Sequence, residues 1–82
     1  MSARRTWERV LAGHRNVRFA DFEWLLPAFG FELKRTSGSH RVYRHPAVLR
    51  PLSVQPHGGE AKPYQVAQLV ALVEEFGLTL RE

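Results

Sequence analysis

His40 is the residue in this sequence best suited to proton transfer at a phosphodiester. It follows Gly38-Ser39, has Arg41 and Arg44 just beyond it, and has Lys34 and Arg35 just before the turn. Cutting an RNA backbone without a metal requires three things. The ribose 2′-OH must give up a proton, the crowded phosphate needs positive charge, and the leaving oxygen must gain a proton. Imidazole titrates close to neutral pH and suits the proton work, for about 10²–10⁴-fold in rate. Guanidinium and ammonium groups suit the phosphate. A glycine in the turn lets a phosphate come close to the backbone. His40 is therefore the candidate catalytic residue, and Lys34, Arg35, Ser39, Arg41, Arg44, His57 and Lys62 are the candidate RNA contacts.

Each of these residues also has a plain reading. His40 is equally an exposed histidine beside a turn. His57, ahead of Gly58-Gly59, is a phosphate ligand, a second proton donor or an ordinary loop histidine. Lys62 either adds charge to free N–H groups at the start of a helix or is a surface lysine. Tyr43 and Tyr64 stack on bases or pack, whereas Trp7, Trp24 and the phenylalanines are expected in the core. His45 closes a strand before Pro46, and His14 carries no assigned role.

Other chemistries find little support. The chain has no cysteine, which removes disulfides, thiolate metal sites and cysteine nucleophiles and fits a reducing cytoplasm. The central histidines have only Glu60 as a nearby carboxylate, so no metal cofactor is expected. Gly38 and Gly58-Gly59 form neither a Walker loop nor a dinucleotide fingerprint, so no nucleotide cofactor is expected. No apolar run reaches the roughly 18 residues that span a membrane, and the basic start of the chain does not lead into a signal-peptide core.

Charge points the same way as the histidine. Between Leu33 and Lys62 stand Lys34, Arg35, Arg41, Arg44, Arg50 and Lys62 against Glu60 alone, whereas most acids lie nearer the ends. A basic centre of this kind attracts a polyanion or an acidic protein.

The elements that must position these residues follow from periodicity. At 82 residues with 44% apolar side chains, one domain, 1–82, is expected. Trp7, Val10 and Leu11 share a face of a short helix over Arg4 to Ala12, ended by Gly13. His14 to Arg18 is a connector. Phe22, Leu25, Leu26 and Phe29 form the stripe of a helix over Asp21 to Phe29, with Pro27 as an expected kink and Gly30 as its C′ residue. Phe31 to Arg35 alternates as a half-buried strand, Thr36 to Ser39 turns, and His40 to His45 forms a second strand. Pro46 to Pro51 is expected as a loop, Leu52 to Gln55 as a third strand, and Pro56 to Ala61 as another loop. Val66, Leu69, Val70, Val73 and Phe76 mark a closing helix from Pro63 to Gly77. The expected fold is α+β, with helices on one face of an antiparallel three-stranded sheet and the other face open. Strand parity puts His40, Val42 and Arg44 on one face and Arg41, Tyr43 and His45 on the other. Catalysis needs Tyr43 to face the helices; with Val42 as the core residue, His40 would have to escape through the turn.

Several of these segments together resemble a known family. Gly30-Phe31, Gly38-Ser39-His40 with Val42-Tyr43 and His45-Pro46, Pro56-His57-Gly58 with Glu60 and Lys62-Pro63, and the closing helix into Gly77-Leu78 look like the HicA toxins. The likeness covers a core of residues 19–80 and leaves 1–18 as an N-terminal extension. It implies a double-stranded-RNA-binding-domain-like α-β-β-β-α fold. It also implies a ribosome-independent mRNA interferase, an endoribonuclease whose catalytic histidine corresponds to His40. The implied partners are mRNA and a HicB-type antitoxin that covers the site, with no membrane and no small-molecule cofactor. A non-catalytic RNA-binding module and an inactive protein-interaction domain of the same fold are the alternatives. The chain departs from the pattern at Pro27 and in the extension, which is expected to pack on the sheet or to shape the antitoxin contact.

Overall fold

The computed structural model describes residues 2–81 and has the expected α+β architecture. Helix α1 (Ala3–Ala12) and helix α2 (Phe19–Ala28) precede strands β1 (Glu32–Ser37), β2 (His40–His45) and β3 (Val48–Val54). A small hairpin, β4 (Pro56–His57) and β5 (Glu60–Ala61), leads into helix α3 (Pro63–Phe76). The main sheet is antiparallel in the order β1-β2-β3, so β2 is central. Helix α2 lies against β1 and α3 against β3. Their apolar stripes meet the inner face of the sheet: Phe22, Leu25, Leu26, Leu52, Val54, Val66 and Leu69 are fully buried, with Tyr43 of β2 beside them. No helix among the described residues is long and apolar enough to cross a membrane.

Local chemistry explains where the helices begin and end. Ser2 caps α1, its hydroxyl accepting the Arg5 N–H at 3.0 Å, so the helix starts one residue before Arg4. The buried face of α1 is Ala3, Thr6 and Val10, with Trp7 edge-on to Phe29 at 4.7 Å; Leu11 points outward. Helix α1 packs mainly on α2 and not on the sheet, where packing was one of the two roles expected for the extension. Helix α2 begins two residues before Asp21 and passes through Pro27 to Ala28. Pro27 falls in its last turn, where losing one N–H donor costs little continuity. The helix then closes as a Schellman motif. Gly30, at φ 95°, donates to Pro27, and Phe31 donates to the Leu26 carbonyl at 2.9 Å. Gly77 ends α3 in the left-handed region, and Leu78 donates to the Val73 carbonyl at 3.1 Å. Trp24, expected in the core, is exposed on the outer side of α2.

The strands differ more from the sequence pattern. Every residue of β1 is exposed; the buried Phe31 precedes the strand. Strand β1 is an edge strand with a bulge at Lys34, because Leu33 pairs with Tyr43 while Arg35 pairs with Val42. The bulge reverses the inward–outward alternation partway along the strand. The first turn is tighter than expected. Ser37 pairs with His40, and only Gly38 and Ser39 lie between them. Gly38 has φ 60° and Ser39 has no positive φ, which is the type II′ pattern. Strand β3 starts at Val48, because Pro46 and Ala47 alone make the connection from His45. Pro51 sits inside β3 without breaking it, because β3 is the other edge and Pro51 lies in a stretch where pairing is irregular. The expected loop from Pro56 to Ala61 is a hairpin, turned by Gly58 and Gly59 at φ 59° and 80°. Phe19 donates to the Gly59 carbonyl and Ala61 to the Val17 carbonyl, tying this hairpin to the connector before α2.

Candidate active site

The orientation of β2 decides what the site contains. Tyr43 is buried on the helix side, so His40, Val42 and Arg44 point to the open face. His40 is exposed at the first position of the strand, directly after the Gly38–Ser39 turn. Register adds its neighbours. Ser37 stands opposite His40, Arg35 opposite Val42 and Glu32 opposite Arg44, so all three share the open face. Without the bulge at Lys34, Arg35 would face the helices. Ser53 of β3, opposite Val42, completes this polar surface. His40 and Arg44 lie roughly 13 Å apart along the strand at about 3.3 Å per residue.

The far end of the strand is partly neutralised. Lys34 Nζ is 2.8 Å from Glu32 Oε1, and that hydrogen bond, followed by the charge of the ammonium, lowers the Glu32 pKa from its ordinary value. Arg44 donates to the Leu49 carbonyl at 3.0 Å. Glu32, Lys34, Arg44 and Leu49 help to line an open cleft of about 330 Å³. Leu49 stands almost wholly in solvent there.

The other predicted residues occupy the His40 end. Val54 pairs with Arg41, so Gln55 and Pro56 leave the sheet beside the start of β2, and the hairpin with His57 follows at once. His57 is exposed in β4, Lys62 is the N-cap of α3, and Ser39 is exposed in the turn. No side chain caps that helix N-terminus. Among the described residues, no group of three or more histidine, cysteine or acidic side chains is placed to hold a metal ion.

Arg41 is set apart from this face. Its side chain turns to the helix side of the sheet, where its guanidinium pairs with Glu23 of α2 and lies 5.4 Å above the Phe19 ring. Glu23 also accepts the Tyr43 hydroxyl at 2.7 Å. The Glu23 hydrogen bond raises the Arg41 pKa, and burial, followed by the hydrogen bond to Glu23, pushes the Tyr43 phenol well above its usual range. One carboxylate of α2 thereby grips two residues of β2, the nearer adjacent to His40. Sequence reasoning missed Glu23. The signal was there: with Tyr43 inward, Arg41 must also point inward, and a half-buried arginine needs an acid. Glu23 lies on the same helical stripe as Phe19 and Leu26.

A family model described as "HicA toxin of bacterial toxin-antitoxin" matches residues 19–80, from the first residue of α2 to beyond the end of α3. No curated protein and no solved structure gave a match. The match spans most of the chain and leaves α1 and its connector outside it. This chain therefore belongs to the HicA toxin family, the toxins of bacterial toxin–antitoxin systems.

Proposed function

We propose that this chain is a metal-independent endoribonuclease that cleaves mRNA in the cytoplasm and is neutralised by a HicB-type antitoxin. Residues 19–80 are the catalytic core of a single domain, 1–82, and residues 1–18 are an extension of it. The observation that carries this reading is the exposure of His40 on the open sheet face, behind a type II′ turn, with Arg35 and Arg44 on the same face.

In this mechanism the ribose 2′-oxygen loses its proton and attacks phosphorus. The bond from phosphorus to the 5′-oxygen breaks, and that oxygen takes up a proton. His40 is the proton-transfer group. Arg35, Arg44 and Lys34 hold the phosphates along the strand, and Ser39, His57 and Lys62 contact the RNA beside the turn. Arg41, paired with Glu23, acts by positioning the start of β2.

RNA cleavage by the wild-type chain and by His40→Ala, each with and without EDTA, tests the proposal. Cleavage by the wild type in both conditions and none by the variant is expected, with loss of growth arrest in cells. Equal cleavage by His40→Ala overturns the mechanism. RNA that the wild type binds but never cuts makes the chain a non-catalytic RNA-binding module.

A further inference from the structure

The extension contributes to a second feature that could hold a nucleic acid. Residues 1–18 carry Arg4, Arg5, Arg9, Arg15 and Arg18 against Glu8 alone. Arg9 donates to the Asn16 carbonyl at 2.9 Å and holds the connector against α1. The connector then meets the start of α3, and between them lies an open cleft of about 590 Å³ lined by Gly13, His14, Arg15, Pro63 and Tyr64.

The lining is suited to a nucleotide. Tyr64 is 65% exposed, unusual for so large a ring, and its hydroxyl accepts a hydrogen bond from the Gln65 side chain at 3.3 Å. The buried Gln65 in turn accepts the Gln55 N–H at 3.2 Å, so the ring is tethered at the hydroxyl to a fixed part of the fold. Arg15 is exposed beside it, and His14 is half-buried. An exposed aromatic ring next to a guanidinium is the pairing that single-stranded nucleic acids use, with a base on the ring and a phosphate on the cation. Lys62, the N-cap of α3 and one of the residues proposed to contact RNA, precedes Tyr64 by two positions in the chain.

We propose that this cleft is an accessory RNA-binding subsite, in which Tyr64 stacks on a base and Arg15, with His14, holds a neighbouring phosphate. It binds RNA that runs past the cleavage site and joins Tyr64 of the family core to His14 and Arg15 of the extension. The inference rests on RNA being the substrate.

The test measures RNA binding by fluorescence anisotropy in a His40→Ala background. One RNA is short, near the lower end of the about 4–16-nucleotide footprint of small single-strand-binding folds; the other is several times longer. Tyr64→Ala should weaken binding of the long RNA about tenfold and leave the short one unchanged, and Tyr64→Phe should restore it. Arg15→Gln should reduce the salt slope for the long RNA by about 0.7. Cleavage of the short RNA by chains that retain His40 should be unaffected by either substitution. Equal binding of the long RNA by Tyr64→Ala and its parent overturns the subsite while leaving the RNA reading intact. If the parent binds neither RNA, both fall. Loss of antitoxin binding with RNA binding unchanged assigns the cleft to protein contact and also overturns the proposal.

Discussion

The Tyr43 hydroxyl donates to Glu23 Oε2 at 2.7 Å, joining the middle of the central strand to the helix that covers it. The other carboxylate oxygen of Glu23 takes the Arg41 guanidinium, and the Glu23 side chain is only 21% exposed. A hydrogen bond to a charged, largely enclosed acceptor contributes about 1.5–3 kcal/mol. Glu23→Ala should therefore cost about 2 kcal/mol, since it leaves the Tyr43 hydroxyl without its acceptor. Tyr43→Phe should cost about 1.5 kcal/mol. Urea unfolding measures both, and a domain of this size loses about 4–8 °C in Tm per kcal/mol. Additive losses in the Glu23→Ala/Tyr43→Phe double variant would mean that the two groups do not interact.

The same contact makes stability depend on alkaline pH. The Tyr43 phenol is raised in the folded protein, first by burial and then by the Glu23 carboxylate. In the unfolded chain a tyrosine titrates near pH 10. Below that pH both states keep the proton and the contribution is whole. Above it the unfolded chain loses its proton while folded Tyr43 keeps its own. The folded state then binds more protons, and stability falls as pH rises. Tyr64→Phe leaves Tyr43 as the only phenol, since the chain has two tyrosines. In that background the phenolate absorbance should appear only above the ordinary tyrosine range. From about pH 10 upward, unfolding free energy should drop more steeply than in the variant that also carries Tyr43→Phe.

Much of this arrangement was legible in the sequence, and the rest was hidden for physical reasons. The helix stripes through Phe22, Leu25, Leu26, Val66 and Leu69 were legible because period 3.6 survives local irregularity. The glycine stops at Gly30 and Gly77 were legible because positive φ selects glycine. The orientation of β2 rested on choosing Tyr43 over Val42 as the inward residue, and the structure makes that choice. Edge strands were read less well. In β1, the bulge at Lys34 departs from the alternation read over Phe31 to Arg35 and places Arg35 on the open face. In β3, Pro51 imitated a loop because a proline on an edge strand forfeits little pairing. The Glu23 contact joins residues 18 and 20 positions apart, which no local pattern encodes.

Glycines 30 and 38 should respond differently to a methyl group. Gly38 has φ 60° and open space around the added Cβ, so Gly38→Ala pays only for the left-handed backbone, about 1 kcal/mol. A Cβ on Gly30, at φ 95°, would also stand 2.9 Å from His45 Nε2. Gly30→Ala should therefore cost more than Gly38→Ala. His45→Ala frees that space but also removes the acceptor of the Ala47 N–H and the ring beside Phe31, so the extra cost of Gly30→Ala should vanish when it is measured against a His45→Ala parent. Denaturation of Gly30→Ala, Gly38→Ala, His45→Ala and the Gly30→Ala/His45→Ala double variant measures this, and equal costs for the two glycine replacements would contradict it.

Arg41 and Arg44 should separate cleanly by phenotype, although only three positions divide them. Arg41 is held by Glu23 on the helix side, whereas Arg44 is exposed on the open face with a single backbone contact at Leu49. Arg44→Gln should leave the unfolding midpoint almost unchanged and weaken RNA binding across sequences. Its salt slope should fall by about 0.7, the value for one cation fewer on the phosphates of a single strand. Arg41→Gln should do the reverse. Its effect should appear in stability, because the Glu23 carboxylate is left without its cation, and the salt slope should stay near that of the parent. Cleavage by Arg41→Gln should fall mainly in kcat, because a loosened start of β2 misplaces His40 while every phosphate-binding cation stays in place. Paired salt titrations and urea curves on the two variants decide the matter. A salt slope that falls in Arg41→Gln as far as in Arg44→Gln would return Arg41 to the RNA-binding surface.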